Sequence, residues 1–218
     1  MAICSRSCVH EDLICNRPIQ LGWFGQPIFT VNERFIDGET ILDIPGGRVE
    51  NDANTNAAAN QGLWAEAIWI PSIWFTDERV RWEAVDDTTA RLILPNAADE
   101  EMFEIRFDAE TGLISLTGLI PRGLPRDCGL QPILRSLLRS SSFSELTTLR
   151  YQNPDSPERT RWSSHVIEWQ EFNGVMIPSL ADLQWGTDKP WVKWQIENVY
   201  YNIDVSGRMS QFGGSYED

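Results

Sequence analysis

The run Phe103-Glu104-Ile105-Arg106-Phe107-Asp108 alternates apolar and charged residues without a break. Side chains on a strand point to opposite faces in turn, so this run is a strand with one buried and one wet face. An antiparallel sheet with one side against a core accommodates the pattern, whereas an all-parallel sheet, buried on both faces, does not. This one hexapeptide therefore points to a β-rich chain whose sheets are half-covered.

The same period recurs. Val80, Trp82 and Ala84 precede Ala90, Leu92 and Leu94 across the polar turn at Asp86-Asp87. A loop of Asp86, Asp87 and Thr88 sets Trp82 opposite Leu92 and Glu83 opposite Arg91, keeping like residues on one face. Asn173-Gly174 is the strongest hairpin signal in the chain, since both residues tolerate the positive φ of a type I′ turn. The flanking strands, 161–172 and 175–185, then face His165 with Asp182. Across 109–112 a further hairpin is expected, with Phe107 opposite Ile114 and Ile105 opposite Leu116. A last strand, 191–203, places Val192, Trp194, Ile196 and Tyr200 on one face and Lys193, Gln195 and Glu197 on the other.

One helix is expected at about residues 55–70. Asn54 or Thr55 would cap it, Ala59, Leu63, Ala67 and Ile70 would form its apolar stripe, and Pro71 would end it. A shorter helix is read over 132–139. The fold class that follows is α+β, mainly antiparallel β: a curved open sheet or half-barrel with one helix covering one face. Residues 1–20 read as a loose tail, 21–205 as a single β-rich domain in which 140–160 is a mobile loop containing at most one short strand, and 206–218 as a C-terminal tail.

Composition excludes some partners. The formal charge is −14, and Lys189 and Lys193 are the only lysines, so binding to a nucleic-acid backbone is disfavoured and no nucleic-acid partner is expected. No apolar stretch is long enough for a transmembrane helix, and none near the N-terminus resembles a signal peptide. The chain as given is therefore expected in the cytoplasm, or outside it if an N-terminal segment has been lost. Cys4, Cys8 and Cys15 lack the second paired knuckle of a zinc site, and Cys128 lies far away, so thiols without a metal are expected. Neither a metal nor a cofactor is implied.

Five segments together carry a resemblance. They are Leu63-Trp64-Ala65-Glu66-Ala67-Ile68-Trp69-Ile70-Pro71; Val80 through Ala90; Phe107-Asp108 through Gly112-Leu113-Ile114; Trp169 through Pro178, centred on Asn173-Gly174; and Val199-Tyr200-Tyr201-Asn202. In this order they resemble an uncharacterised, mainly bacterial family of unknown function. The resemblance implies an open antiparallel half-barrel with a helix across its mouth, similar to the lipoprotein-carrier LolA-like architecture, which is associated with sheltering acyl chains. Gly62-Leu63-Trp64 departs from the Arg-Tyr-Leu-like run more usual there, and members usually carry further N-terminal sequence, often with an anchor or export signal.

Two groups of residues are candidates for function. Ten tryptophans are more than a core of this size needs, and Trp64, Trp69 and Trp82 could wall an apolar pocket, with Glu66 and an arginine such as Arg81, Arg91, Arg122 or Arg126 as its polar anchor. Of these arginines Arg122 is the chosen ligand-binding candidate. A non-enzymatic protein that binds a small apolar or acyl ligand is the expected function. The alternative is an enzyme of unassigned reaction using Glu66, or His165 with Asp182, as acid and base. No nucleophile elbow accompanies His165, so a structural strand pair is the plainer reading. A structural domain that offers an exposed sheet edge to a partner strand is the third possibility.

Overall fold

The computed structural model describes residues 2–4, 7–9, 14–23, 26–36, 38–69, 73–95, 101–108 and 142–200. The chain parts into two compact units, where the sequence suggests a single domain.

The first unit comprises Met1–Asn60, Tyr151–Pro157 and Tyr200–Asp218. Its six-stranded antiparallel sheet holds β1 (Ala2–Cys4), β2 (Ser7–Val9), β3 (Ile14–Trp23), β4 (Gln26–Ile36), β5 (Glu39–Ile44) and β6 (Gly47–Glu50). Strands β3 to β6 follow one another, and β1 and β2 both pair with β3. Much of the segment expected as a loose tail is therefore paired strand. Its Cys, Asn and Pro residues hide the pattern, yet Ile19 and Leu21 pair with Val31 and Phe29 of β4, and Ile14 with Val9 of β2. Ile44 pairs with Gly47 across Pro45-Gly46. Gly46, at φ 94°, takes the position after proline that a type II turn reserves for glycine.

Helix α1 (Ala53–Glu66) begins in this unit, and a 3-10 turn, Ala67–Trp69, extends it. Its cap is Asp52, slightly upstream of the expected Asn54 or Thr55: Asp52 Oδ1 accepts hydrogen bonds from the Thr55 amide and hydroxyl, both at 2.8 Å. A carboxylate there satisfies donors that the first turn leaves open. Asn54, freed from capping, donates to the carbonyls of Pro154 and Ser156 at 2.8 and 3.1 Å. Asn56 Oδ1 accepts from the Thr40 amide at 2.8 Å.

The second unit comprises Gln61–Arg150 and Glu158–Val199. After α1 comes the short α2 (Ile73–Thr76), then β7 (Arg81–Ala84), β8 (Thr89–Ile93), β9 (Met102–Asp108), β10 (Ser142–Arg150), β11 (Thr160–Phe172), β12 (Val175–Trp185) and β13 (Val192–Gln195). These strands form one open antiparallel meander, each beside its neighbour in sequence, from β7 at one edge to β13 at the other. The fold is α+β.

Two hairpins keep their expected register. Trp82 faces Leu92 and Glu83 faces Arg91. Phe172 faces Val175, with Asn173 at φ 50° and Gly174 at φ 81°, both left-handed as a type I′ turn requires. Irregularities on either side of Glu168 offset one another, so Trp169 still faces Pro178 and His165 still faces Asp182. The bulge lies close to Pro178, which has no amide to give to the ladder.

Three expectations change. The return strand 114–116 and the helix 132–139 lie outside the described residues. Ile105 has Ala90 of β8 on one side and Leu146 of β10 on the other, which leaves it no edge for Leu116. The supposed mobile loop 140–160 contains the nine-residue strand β10. Its Ser and Thr residues read as loop by composition, but Leu146 and Thr148 are buried on the core side, and Thr is a good strand residue. The last strand is shorter than expected: β13 ends at Gln195, and Tyr200 is exposed.

The core of this unit lies on one face of the sheet. Leu92, Phe103, Ile105, Phe107, Leu146 and Ala181 are buried there, and residues 61–69 of the helix and 3-10 turn pack over it. Gln61, itself buried, donates to Thr148 Oγ1 at 3.2 Å and to the Leu149 carbonyl at 2.9 Å, and Thr148 passes its hydroxyl hydrogen to the Met102 carbonyl at 2.8 Å. Two strands are thus tied to the helix by satisfied polar groups, as burial demands.

Candidate functional site

The helix-covered face is lined with indoles. Alternation along β11 puts Trp162, Ser164 and Val166 on the face shared with Leu146 and Leu183, their register partners being in β10 and β12. Trp64 is fully buried in α1, and its carbonyl accepts the indole N–H of Trp74 at 3.1 Å. The Trp74 carbonyl in turn accepts the indole N–H of Trp82 at 2.9 Å. Trp74 and Trp82 meet edge to face at 6.3 Å, and Phe75 stacks on Trp82 with ring centroids 5.4 Å apart. Such pairs contribute about 0.5–1.5 kcal/mol beyond their buried area. This end of the face is a relay of rings, each fixed by the backbone of the previous one.

At the other end the rings are looser. Trp69, in the 3-10 turn, meets Trp194 of β13 edge to face at 5.4 Å, and both are half-buried. Glu66 closes α1 one turn before Trp69 and is also half-buried. Of the expected ligand-binding group, Trp64 and Trp82 thus belong to the ring relay, Glu66 and Trp69 stand together at the helix end, and Arg122 lies outside the described residues. Arg91 takes register positions opposite Glu83 and Glu104, on the face away from the helix.

Ser164 is the unusual member of the covered face. It is buried between Leu146 and Leu183, and its hydroxyl has no hydrogen-bond partner. Sequence reading places it beside Ser163 on one strand but gives no sign that its hydroxyl is stranded, because that depends on which neighbours the register supplies.

The opposite face carries a row of charge. Arg106, Glu145, His165, Asp182 and Lys193 occupy successive register positions on β9 to β13. His165 Nδ1 lies 2.9 Å from Asp182 Oδ1, and Nε2 lies 3.4 Å from Glu145 Oε1. Arg161 and Arg106 also reach Glu145, at 3.3 and 3.5 Å. Glu145 escapes sequence reading because its strand reads as loop; the β-formers Leu146, Thr147 and Thr148 beside it are the signal that identifies it. Nδ1 bonds the imidazole to Asp182 across β11 and β12, and Nε2 turns toward Glu145 of β10. This is the geometry of a cross-strand clamp.

Among the described residues, no group of three or more His, Cys, Asp or Glu side chains is disposed to hold a metal ion, and no helix is long and apolar enough to cross a membrane. Searches among curated proteins and among solved structures gave no match. A family comparison did: the profile of the family of unknown function DUF6544 matches residues 18–120 and 138–195, well over half of the sequence, and the chain belongs to that family.

Proposed function

We propose that this protein is a non-enzymatic binding protein that shelters a small apolar or acyl ligand against the helix-covered face of its seven-stranded sheet. The observation that carries the reading is the gathering of indoles on that one face, with Trp69 and Trp194 left half-buried where the 3-10 turn meets the sheet. Ligand sites are mostly apolar and aromatic, with a few polar groups that fix orientation. Half-buried rings keep apolar surface available, whereas a sealed core does not. Glu66 is the polar group at the rim. An open antiparallel sheet under a helix is also the arrangement by which LolA-like carriers shield acyl chains, and the proposed role follows that analogy. Acid–base chemistry at His165 is the weaker reading, since both of its ring nitrogens already face carboxylates.

Native mass spectrometry of protein purified from cells tests the proposal. A co-purifying lipid-like mass is expected, and Glu66→Gln is expected to lower the retained fraction severalfold. Protein that is ligand-free and takes up no added acyl compound refutes the carrier role.

A further inference from the structure

We infer that the Ser164 hydroxyl is the polar recognition group for the ligand, and that the ligand class is an acyl chain bearing a neutral carbonyl oxygen, such as an ester or amide. This inference rests on the binding role proposed above and specifies its chemistry.

The position is one that a sheet core would ordinarily give to an aliphatic residue. Leu146 stands on one side of Ser164 and Leu183 on the other, and Trp162 is two residues earlier on the same face. Residue 164 is buried and its Oγ makes no hydrogen bond. Buried hydroxyls are nearly always satisfied, and an exception calls for an occupant that supplies the missing bond. Three sources are conceivable in general: a protein group, an enclosed water, or a ligand. Among the described residues no protein group does so. A water needs two to four polar partners to be held, and here the flanking side chains are leucines while the sheet ladder consumes the neighbouring amides and carbonyls. A ligand remains, and one whose body is apolar needs only the single bond that Ser164 offers.

Charge narrows the class. A serine hydroxyl donates one hydrogen bond and carries no charge, so it cannot offset the desolvation of a carboxylate between two leucines. A neutral carbonyl oxygen, which needs only one donor, matches what is present.

The test uses the full chain and quenching of its indole fluorescence by two brominated probes of matched chain length, methyl 12-bromododecanoate and 1-bromododecane. Wild-type protein is expected to bind the ester about three- to tenfold more tightly than the alkane, the range that one net hydrogen bond supplies. Ser164→Ala is expected to abolish that preference while leaving alkane affinity unchanged, and to leave the melting temperature of the ligand-free protein unchanged or raised, since a stranded polar group has been removed. Ser164→Cys, nearly isosteric and a weak donor, should lose the preference in the same way and serves if the alanine variant folds poorly. Retention of the ester preference in both variants overturns the assignment of Ser164 and leaves the carrier role standing. A lowered ligand-free melting temperature in both variants also overturns it, because the hydroxyl then has a partner within the protein. Absence of quenching by either probe in the wild type overturns the carrier role, and this inference with it.

Discussion

Asp86 shows how a single turn residue makes stability depend on pH. The Thr88 amide donates to Asp86 Oδ1 at 2.7 Å, and the Thr88 hydroxyl adds a second bond at 3.0 Å. The backbone bond first, and the hydroxyl after it, hold the carboxyl below the usual aspartate range. A depressed folded-state pKa adds stability that is fully present above the unfolded value of about 3.9 and is lost as pH falls through the folded value. Asp86→Ala should therefore unfold at lower urea concentration than wild type at pH 7, with the gap narrowing below about pH 4. Urea midpoints measured from pH 2.5 to 7 check this. At the same scale Glu101 differs: it is buried, and Arg159 approaches it at 3.3 Å, so its charge is offset inside the protein rather than by solvent.

Elements, more than single residues, determine what was legible in the sequence. Turn chemistry was readable: Asn173-Gly174 announces a type I′ hairpin, and both residues adopt the positive φ it needs. Gly174→Ala should destabilise the protein by about 1–2 kcal/mol, the cost of a Cβ in the left-handed region, measurable as a lower urea midpoint. The three-residue loop at 86–88 and the facing of His165 with Asp182 were readable too, because parity fixes which residues share a face. Strand partners were not. The alternation of residues 103–108 identifies β9 but carries no information about its neighbour, and the segment that fills its edge, β10, begins 34 residues after β9 ends. Polar strands were equally hidden: β10 reads as loop because Ser and Thr suit both states. The candidate site divides in the same way. Its indoles were visible as composition, Glu66 and His165 as positions, whereas Glu145 and the stranded Ser164 hydroxyl exist only once register is known.

For the molecule as a whole, the order in which the chain visits its two units matters. It passes from the first to the second within α1, returns for Tyr151–Pro157, leaves again, and re-enters at Tyr200. The short middle visit is held inside the first unit by Asn54, through the carbonyls of Pro154 and Ser156. Asn54→Ala removes both bonds and leaves two carbonyls without their donor, each bond worth about 0.5–1.5 kcal/mol. Limited proteolysis within 152–156 should accelerate severalfold in that variant, while cleavage elsewhere keeps its rate; mass mapping of the fragments measures both. Neither unit is a contiguous stretch of sequence, so no single cut of the chain parts one from the other.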